Sequence, residues 1–404
     1  MEDLLLLVHR IPYPPNKGDK IRSYHLLRHL AARYRVHLGC FIDDADDWQH
    51  RQTLDALCAS SHYARLNPLP ARLRSLGSLL GGTSLSCGYY RDAGLRDWVR
   101  QTVEAHGVQR MLAFSSAMAQ YVQAYPQARR VVDFVDVDSD KWRQYAARKQ
   151  PPMRWLYAHE ARSLLAFERQ VAHDCDAALF VSAPEAELFR GMAPESAARI
   201  GHFSNGVDTA YFTPEQGGAS PFAREEAAIV FTGAMDYWPN VDAVQWFASE
   251  VLPAVRARFP QAVFWIVGAR PNGAVQQLAS QPGVRVTGTV PDVRPYLAHA
   301  AVCVAPLRVA RGIQNKVLEA MAMAKPVVVS PQALEGIAAA HGRELLLAQD
   351  AAAFEDTVVR LLQQPDAAIG HAARAAVEQR YSWDSNLAGV DRLLEARPPV
   401  RRQA

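Results

Sequence analysis

The stretch RGIQNKVLEAMAMAKPVVVS, Arg311 to Ser330, decides how the chain is read. Its apolar residues fall at helical spacing from about Gln314 to Met323, and a β-branched run closed by proline follows, so it reads as loop, helix, buried strand. The loop is basic and places Gly312 just ahead of the helix. A helix N-terminus preceded by glycine and cations is a place to hold phosphate, because its first N–H groups have no partner within the helix. Glu319, three residues after Lys316, is then placed to accept hydrogen bonds from hydroxyls on whatever carries the phosphate. Taken alone, the two residues also read as an i,i+3 pair on a solvated helix face.

The same alternation of apolar run and helical pattern extends through most of the chain. LLLLVH, VHLGCF, MLAF, VVDFV and AALFV precede residue 210; AIVFTG, AVFWIVG, VRVTG, AVCVAP and PVVVS follow it. Such alternation implies parallel sheets covered by helices. The polar, Gly- and Pro-rich stretch 213–226 separates the two sets without periodicity and reads as linker. The expected architecture is α/β, with two doubly wound Rossmann-like domains facing a cleft. The N-terminal domain spans 1–209, a linker 210–226, the C-terminal domain 227–380, and a C-terminal helix and tail 381–404. The helix is expected to return to the N-terminal domain, and RPPVRRQA beyond it reads as disordered.

Composition narrows the function classes. Of 404 residues, 49% are hydrophobic and 21% charged, ordinary globular usage for two or three domains. Net charge is +3, with 26 Lys+Arg against 23 Asp+Glu in residues 1–210, too small a surplus for a nucleic-acid partner. The five cysteines are scattered with no C-x-x-C pair, so neither a disulfide framework nor a zinc site is indicated. MEDLLLLVHR carries acids where a signal peptide needs cations, and its apolar run is far shorter than a bilayer span. A cytoplasmic protein is expected.

Four strand ends of the second half converge on one ligand in this reading. Gly233 follows a strand in FTGAMDYWPN, where a missing side chain permits close backbone approach, and Asn240 lies in the helix after it. IVGARPN repeats the arrangement with Gly268 and adds Arg270. VTGTVPDVRPYL closes a strand at Gly288, and the backbone around Val290 is placed to meet a base edge. APLRVARGIQNKVLEAM brings Arg308, Arg311, Gly312, Ile313, Lys316 and Glu319. Each glycine alone is explained by a tight βα turn; the combination is what is specific.

FTGAMDYWPNVDAVQWFASEVLP, TGTVPDV and PLRVARGIQNKVLEAMAMAKPVV resemble the donor domain of retaining nucleotide-sugar glycosyltransferases with the GT-B fold, the family-4 type. HRIPYPPNKGDKIRSYHLLRHLA, VDFVDVDSDKW and NGVDTAYF extend the resemblance over nearly the whole chain, and it is most similar to the sugar transferases of PEP-CTERM/exosortase systems. The resemblance implies a nucleoside-diphosphate sugar donor and a glycan or lipid-linked acceptor, with no cofactor and no metal. It implies that Glu319 binds ribose hydroxyls and that Lys316 and the Arg308–Gly312 loop face the diphosphate. Where most relatives have a glutamate this chain has Arg311, and the Arg/Lys pair that many carry after the Gly233-type glycine is replaced by Met235, Asp236 and Asn240. Diphosphate neutralisation is therefore expected from Lys316 with Arg308 or Arg311.

In the first half, the loop IPYPPNKGDKIRSYHLL joins strand to helix and supplies Lys17, Gly18, Lys20 and Arg22 to the acceptor side, although a rigid βα turn explains its prolines as well. VVDFVDVDSDKW ends a strand with Asp133, Asp136, Asp138 and Asp140. Asp136 and Asp138 imitate a metal-binding D-x-D, but the reading preferred is a polar contact by Asp138 to the acceptor. His159 and Glu160 follow on the next helix, where a capped or surface pair is the plainer reading. Between Ala59 and Arg91 four arginines and no acid alternate with Leu73, Leu76, Leu79, Leu80, Tyr89 and Tyr90. That pattern suits either a helix lying on an anionic membrane or a core-packing helix.

With these features, the resemblance implies a metal-independent hexosyltransferase of exopolysaccharide or cell-surface glycan synthesis, peripheral at the inner membrane face. A nucleotide-sugar epimerase of the same fold would need acid/base residues such as Asp138 and His159. A non-catalytic partner-binding protein would have no use for Lys316 and Glu319 together.

Overall fold

The computed structural model describes residues 1–15, 17–310 and 312–395; Arg311 and residues 396–404, which include the RPPVRRQA stretch expected to be disordered, lie outside the described residues. The chain forms two compact units. One comprises Met1–Ser204 and the last helix from Leu387; the other is Asn205–Asn386.

The first unit is built on a seven-stranded sheet: β1 (Asp3–Val8), β2 (Arg35–Ile42), β3 (Ser60–Arg65), β4 (Arg110–Phe114), β5 (Arg129–Val135), β6 (Ala177–Phe180) and β7 (Ile200–His202). The order is β3-β2-β1-β4-β5-β6-β7 and every pairing is parallel. Leu4 to Leu7 of β1 are fully buried at the middle of the sheet. A parallel strand covered on both faces needs an unbroken apolar run, which is why LLLL appears there without alternation. Strand order reverses between β1 and β4, so the carboxyl ends of those strands border the crevice where such sheets take ligands.

The final helix, Trp383–Glu395, belongs to the first unit from Leu387 on. Asp391 accepts from His29 Nε2 at 2.9 Å, and the carbonyls of Leu393 and Leu394 accept from Arg129 Nε at 2.7 Å and Arg110 Nε at 3.2 Å. Cationic side chains on terminal carbonyls satisfy the orphan acceptors of a helix end.

The second unit carries a six-stranded sheet of β8 (Ala227–Thr232), β9 (Ala262–Val267), β10 (Val284–Gly288), β11 (Val302–Ala305), β12 (Val327–Val329) and β13 (Leu346–Leu347). It is again wholly parallel, in the order β10-β9-β8-β11-β12-β13. Phe231 of β8, Phe264 of β9 and Phe247 of the covering helix are fully buried, the last two with ring centroids 4.6 Å apart. The reversal here falls between β8 and β11, at the loops that carry Gly233 on one side and Arg308 and Gly312 on the other.

Candidate active site

At the end of β8 the chain must turn sharply. Gly233 has φ +156°, and a Cβ there would come within 2.7 Å of the Asn240 amide nitrogen and 3.1 Å of Lys316 Nζ. A Cβ on Gly268, φ +153°, would sit 1.7 Å from the Gly233 carbonyl oxygen. The two loops touch backbone to backbone, and only glycines allow it. Arg270 Nε, 2.9 Å from Asp236, ties the same loops by their side chains.

Lys316 is the second residue of the helix Asn315–Ala322. Its Nζ donates to Asn240 Oδ1 and lies 4.3 Å from the centroid of the Phe231 ring. Asn240 is itself fixed, its amide donating to the Ala234 carbonyl at 2.9 Å. A neutral amide and an aromatic face orient the ammonium without cancelling its charge. Burial pushes Lys316 down to about 7 and Glu319 up to about 7, each opposed by the charge of the other. Gln314, the N-cap, makes no side-chain capping bond to the first turn. An ammonium and an uncapped helix start at a sheet's switch point form an anion-binding arrangement.

Arg308 differs. Its guanidinium is committed to Asp242, on the helix that begins after Gly233, with Nε 2.9 Å from Oδ2. Ile313 is buried beside Gly336, and Gly312 completes the turn into the Lys316 helix with φ +64°. Gly288 ends β10 and Val290 follows half-buried. Next to them Asp292 pairs with Arg294 at 2.7 Å, and the Arg294 guanidinium lies 4.0 Å from the Tyr211 ring centroid. Burial raises the Tyr211 hydroxyl, as do Asp292, to which it hydrogen-bonds, and Glu319. Tyr211 thus belongs with the Glu319 side of the site. The segment NGVDTAYF that contains it is visible in the sequence, but nothing in its spacing assigns the tyrosine a partner.

In the first unit the expected acceptor-side residues have different partners. Lys17 is the N-cap of the helix Gly18–Ala31, and Gly18 is exposed at its first position. Lys20 is buried, with its Nζ 2.8 and 2.7 Å from the two oxygens of Asp47. Asp138 opens the helix Asp138–Ala147, and Lys141 Nζ sits 3.2 Å from it and 2.6 Å from Asp136. Burial raises the Asp138 carboxyl even so, against the pull of Lys141. His159 lies on the helix Met153–Asp174, with Nε2 3.4 Å from the Thr83 carbonyl. Its neighbour Glu160 is buried and accepts from Ser84 Oγ at 2.8 Å and from the N–H groups of Leu85 and Ser86, holding the start of the helix Leu85–Tyr89.

Three features of this unit were not foreseen. His9 and Arg10, directly after β1, meet Asp19 at 3.4 and 2.8 Å. Ser115 after β4 and Val135 at the end of β5 have φ +81° and +70°, a conformation costly for a β-branched residue and found where surroundings hold it for a purpose. Behind Asp138, the buried Glu168 accepts from Ser139 and Ser116 hydroxyls, and burial pushes its carboxyl up to about 8.

Residues 226–364 match the family described as glycosyl transferases group 1. No curated protein matches the chain in sequence. Among solved structures, sucrose-phosphate synthase from Thermosynechococcus elongatus superposes with TM-score 0.70 at 17% identity, covering 97% of this chain and 98% of its own. Anabaena HepE in complex with UDP gives 0.67 at 17% identity over 98% and 100%. WaaG, a glycosyltransferase involved in lipopolysaccharide biosynthesis, gives 0.63 at 13% identity over 97% and 100%. The likeness spans both units, so the chain has the α/β fold of GT-B proteins, and the segment that matches the group 1 glycosyl transferases contains Gly233, Lys316 and Glu319.

Proposed function

We propose that the chain is a retaining, metal-independent glycosyltransferase whose second unit holds a nucleoside-diphosphate sugar and whose first unit holds a glycan or lipid-linked acceptor. The observation that carries this reading is the ammonium of Lys316, set on Asn240 and the Phe231 face at the start of an uncapped helix. HepE, of like fold, binds UDP, which supports a nucleotide donor. Glu319, one turn further, accepts from the ribose hydroxyls. The backbone from Gly288 to Val290 faces the base, and Gly268, Gly312 and Ile313 shape the phosphate loops. Arg311 lends charge to the diphosphate, and Arg308 does so only by leaving Asp242.

In the reaction the bond from the anomeric carbon to the β-phosphate oxygen breaks while one from the acceptor oxygen forms on the same face. The acceptor proton passes to a β-phosphate oxygen, and nucleoside diphosphate leaves. Negative charge grows on the diphosphate as that bond breaks, so Lys316 and the helix start act where the charge develops. Asp138, with Lys17, Gly18, Lys20 and His159, forms the acceptor side, Lys20 acting through the Asp47 pair. The setting proposed is cytoplasmic assembly of exopolysaccharide or cell-surface glycan of the exosortase-associated type. WaaG, which acts in lipopolysaccharide biosynthesis, supports a lipid-linked acceptor by likeness of fold.

The test is a thermal-shift series with UDP, GDP and their sugars, with and without EDTA. A ligand at about 100 times its dissociation constant adds roughly 2.7 kcal/mol of stability. A rise with one nucleotide that persists in EDTA is expected; no rise with any nucleotide overturns the reading.

A further inference from the structure

The helix Pro68–Leu80 is inside out. At about 100° per residue, Ala71, Ser75 and Ser78 share one face, and that small, polar face is the buried one. It packs on the helix Leu85–Tyr89, where a Cβ on Gly88 would lie 2.3 Å from Ser78 Oγ. The opposite face is a stripe of leucines at i, i+4, i+7: Leu69 is 73% exposed, Leu73 72% and Leu76 46%. Arg72 and Arg74 flank the stripe on either side, both exposed. The apolar surface continues past the helix. Leu79 meets Met153, Trp155 and His159 around an open hollow, and Trp155 is 68% exposed.

The two segments that form this surface carry one sign of charge. Residues 59–91 contain no acid, and neither do residues 141–159, where Arg148, Lys149 and Arg154 are exposed. A core helix has no reason to turn leucines outward and serines inward, and an ordinary solvated helix carries no apolar stripe. Pairing with a second copy through the same face would set these cations against their equivalents, since a two-fold interface places each patch on itself.

We propose that this face docks on an anionic phospholipid leaflet, with Leu69, Leu73, Leu76 and Trp155 entering the headgroup boundary and the flanking arginines meeting lipid phosphates. No helix among the described residues is long and apolar enough to cross a membrane, so the contact is peripheral. Docking would bring the first unit to lipid-linked acceptors. The inference stands on the surface of this unit alone and is tested without donor or acceptor, so its failure would leave the transferase reading untouched.

The experiment is co-sedimentation of the full chain with vesicles of phosphatidylcholine alone and of phosphatidylcholine mixed with phosphatidylglycerol. Binding is expected to the anionic vesicles and to fall with salt. Replacing Arg72→Gln and Arg74→Gln together should weaken it about 30-fold. The triple change Leu69→Ser, Leu73→Ser, Leu76→Ser should weaken it by roughly 100-fold or more, with an unchanged melting temperature because the side chains are exposed. Equal binding by wild type and both variants overturns the proposal. So does absence of vesicle binding, whether the chain is a monomer or a dimer that Leu73→Glu dissociates.

Discussion

The two units share an architecture and differ in how they treat charge. In the first, every cation near the ends of β1 and β5 that the described contacts resolve meets a carboxylate: Arg10 with Asp19 and Asp43, Lys20 with Asp47, Arg22 with Asp133, Lys141 with Asp136 and Asp138. In the second, the loop arginines are paired likewise, Arg270 with Asp236, Arg294 with Asp292 and Arg308 with Asp242, but Lys316 donates to a neutral amide, and Glu319 beside it is itself pushed toward the neutral form by burial. A surface whose charges are already paired gains little from an anion and suits a hydroxyl-rich, uncharged ligand. One that holds an under-compensated ammonium beside a helix start suits diphosphate.

The largest expected effect breaks the paired side. Arg22 and Asp133 are 1% and 0% exposed, and the guanidinium also lies 3.5 Å from the Phe203 ring centroid. Arg22→Ala leaves a buried carboxylate alone, which costs about 3–5 kcal/mol. Urea unfolding of the variant should show that loss; a change below about 1 kcal/mol would mean the pair is not what fixes this unit. On the other side, Lys316→Ala removes the charge that meets the leaving diphosphate. Turnover should fall about 100- to 1,000-fold, and by more than donor binding weakens, because the interaction strengthens in the transition state. Near-normal turnover would make Lys316 a packing residue.

How much of this was legible follows the same division. Strands that are long and apolar, such as Leu4–Val8 or Ala262–Val267, announce themselves. The edge strand SSHYAR, the three-residue β7 and the two-residue β13 do not, because a half-buried or very short strand has no run to read. The Lys316–Glu319 helix was visible because loop, helix and strand follow directly in sequence. The Asn240 contact to Lys316 joins residues 76 apart, and no local pattern encodes it. Lys20 reads as an unpaired cation in the sequence because Asp47, its partner, lies 27 residues on in a short 3-10 segment. For residues 68–80, the sequence suits a membrane-lying helix and a core-packing one equally; the contact with Gly88 shows that the serine face is the inner one.

A smaller effect separates ribose from phosphate. Glu319→Ala should weaken UDP or GDP binding by roughly 1.5–3 kcal/mol, the range for hydrogen bonds to a charged group. Its fold should be intact, since the residue is not part of the buried core. Calorimetric titration of wild type and variant checks this, and equal affinities would remove Glu319 from the site while leaving Lys316 in it.

The smallest effect is the one that tests the comparison most directly, because it depends on Lys316 and Glu319 both sitting near 7 in the ligand-free protein. A bound diphosphate stabilises the ammonium and raises the Lys316 pKa, so the bound state holds more protons and affinity falls as pH climbs above about 7. Ribose hydroxyls donating to Glu319 stabilise the carboxylate and lower its pKa. There the bound state holds fewer protons, and affinity falls as pH drops below about 7. Each limb involves one proton, which limits its slope to about tenfold per pH unit. Nucleotide affinity should therefore peak near neutrality. Glu319→Gln should lose the acid limb except for whatever the nucleotide's own phosphate contributes, and Lys316→Met should lose the alkaline limb. In the first unit Lys141 is held above its ordinary value by Asp138 and Asp136, so Lys141→Met should leave both limbs of the nucleotide profile in place. A profile that is flat in the wild type, or that keeps its alkaline limb in Lys316→Met, would show that the second unit's ammonium is as fully compensated as those of the first.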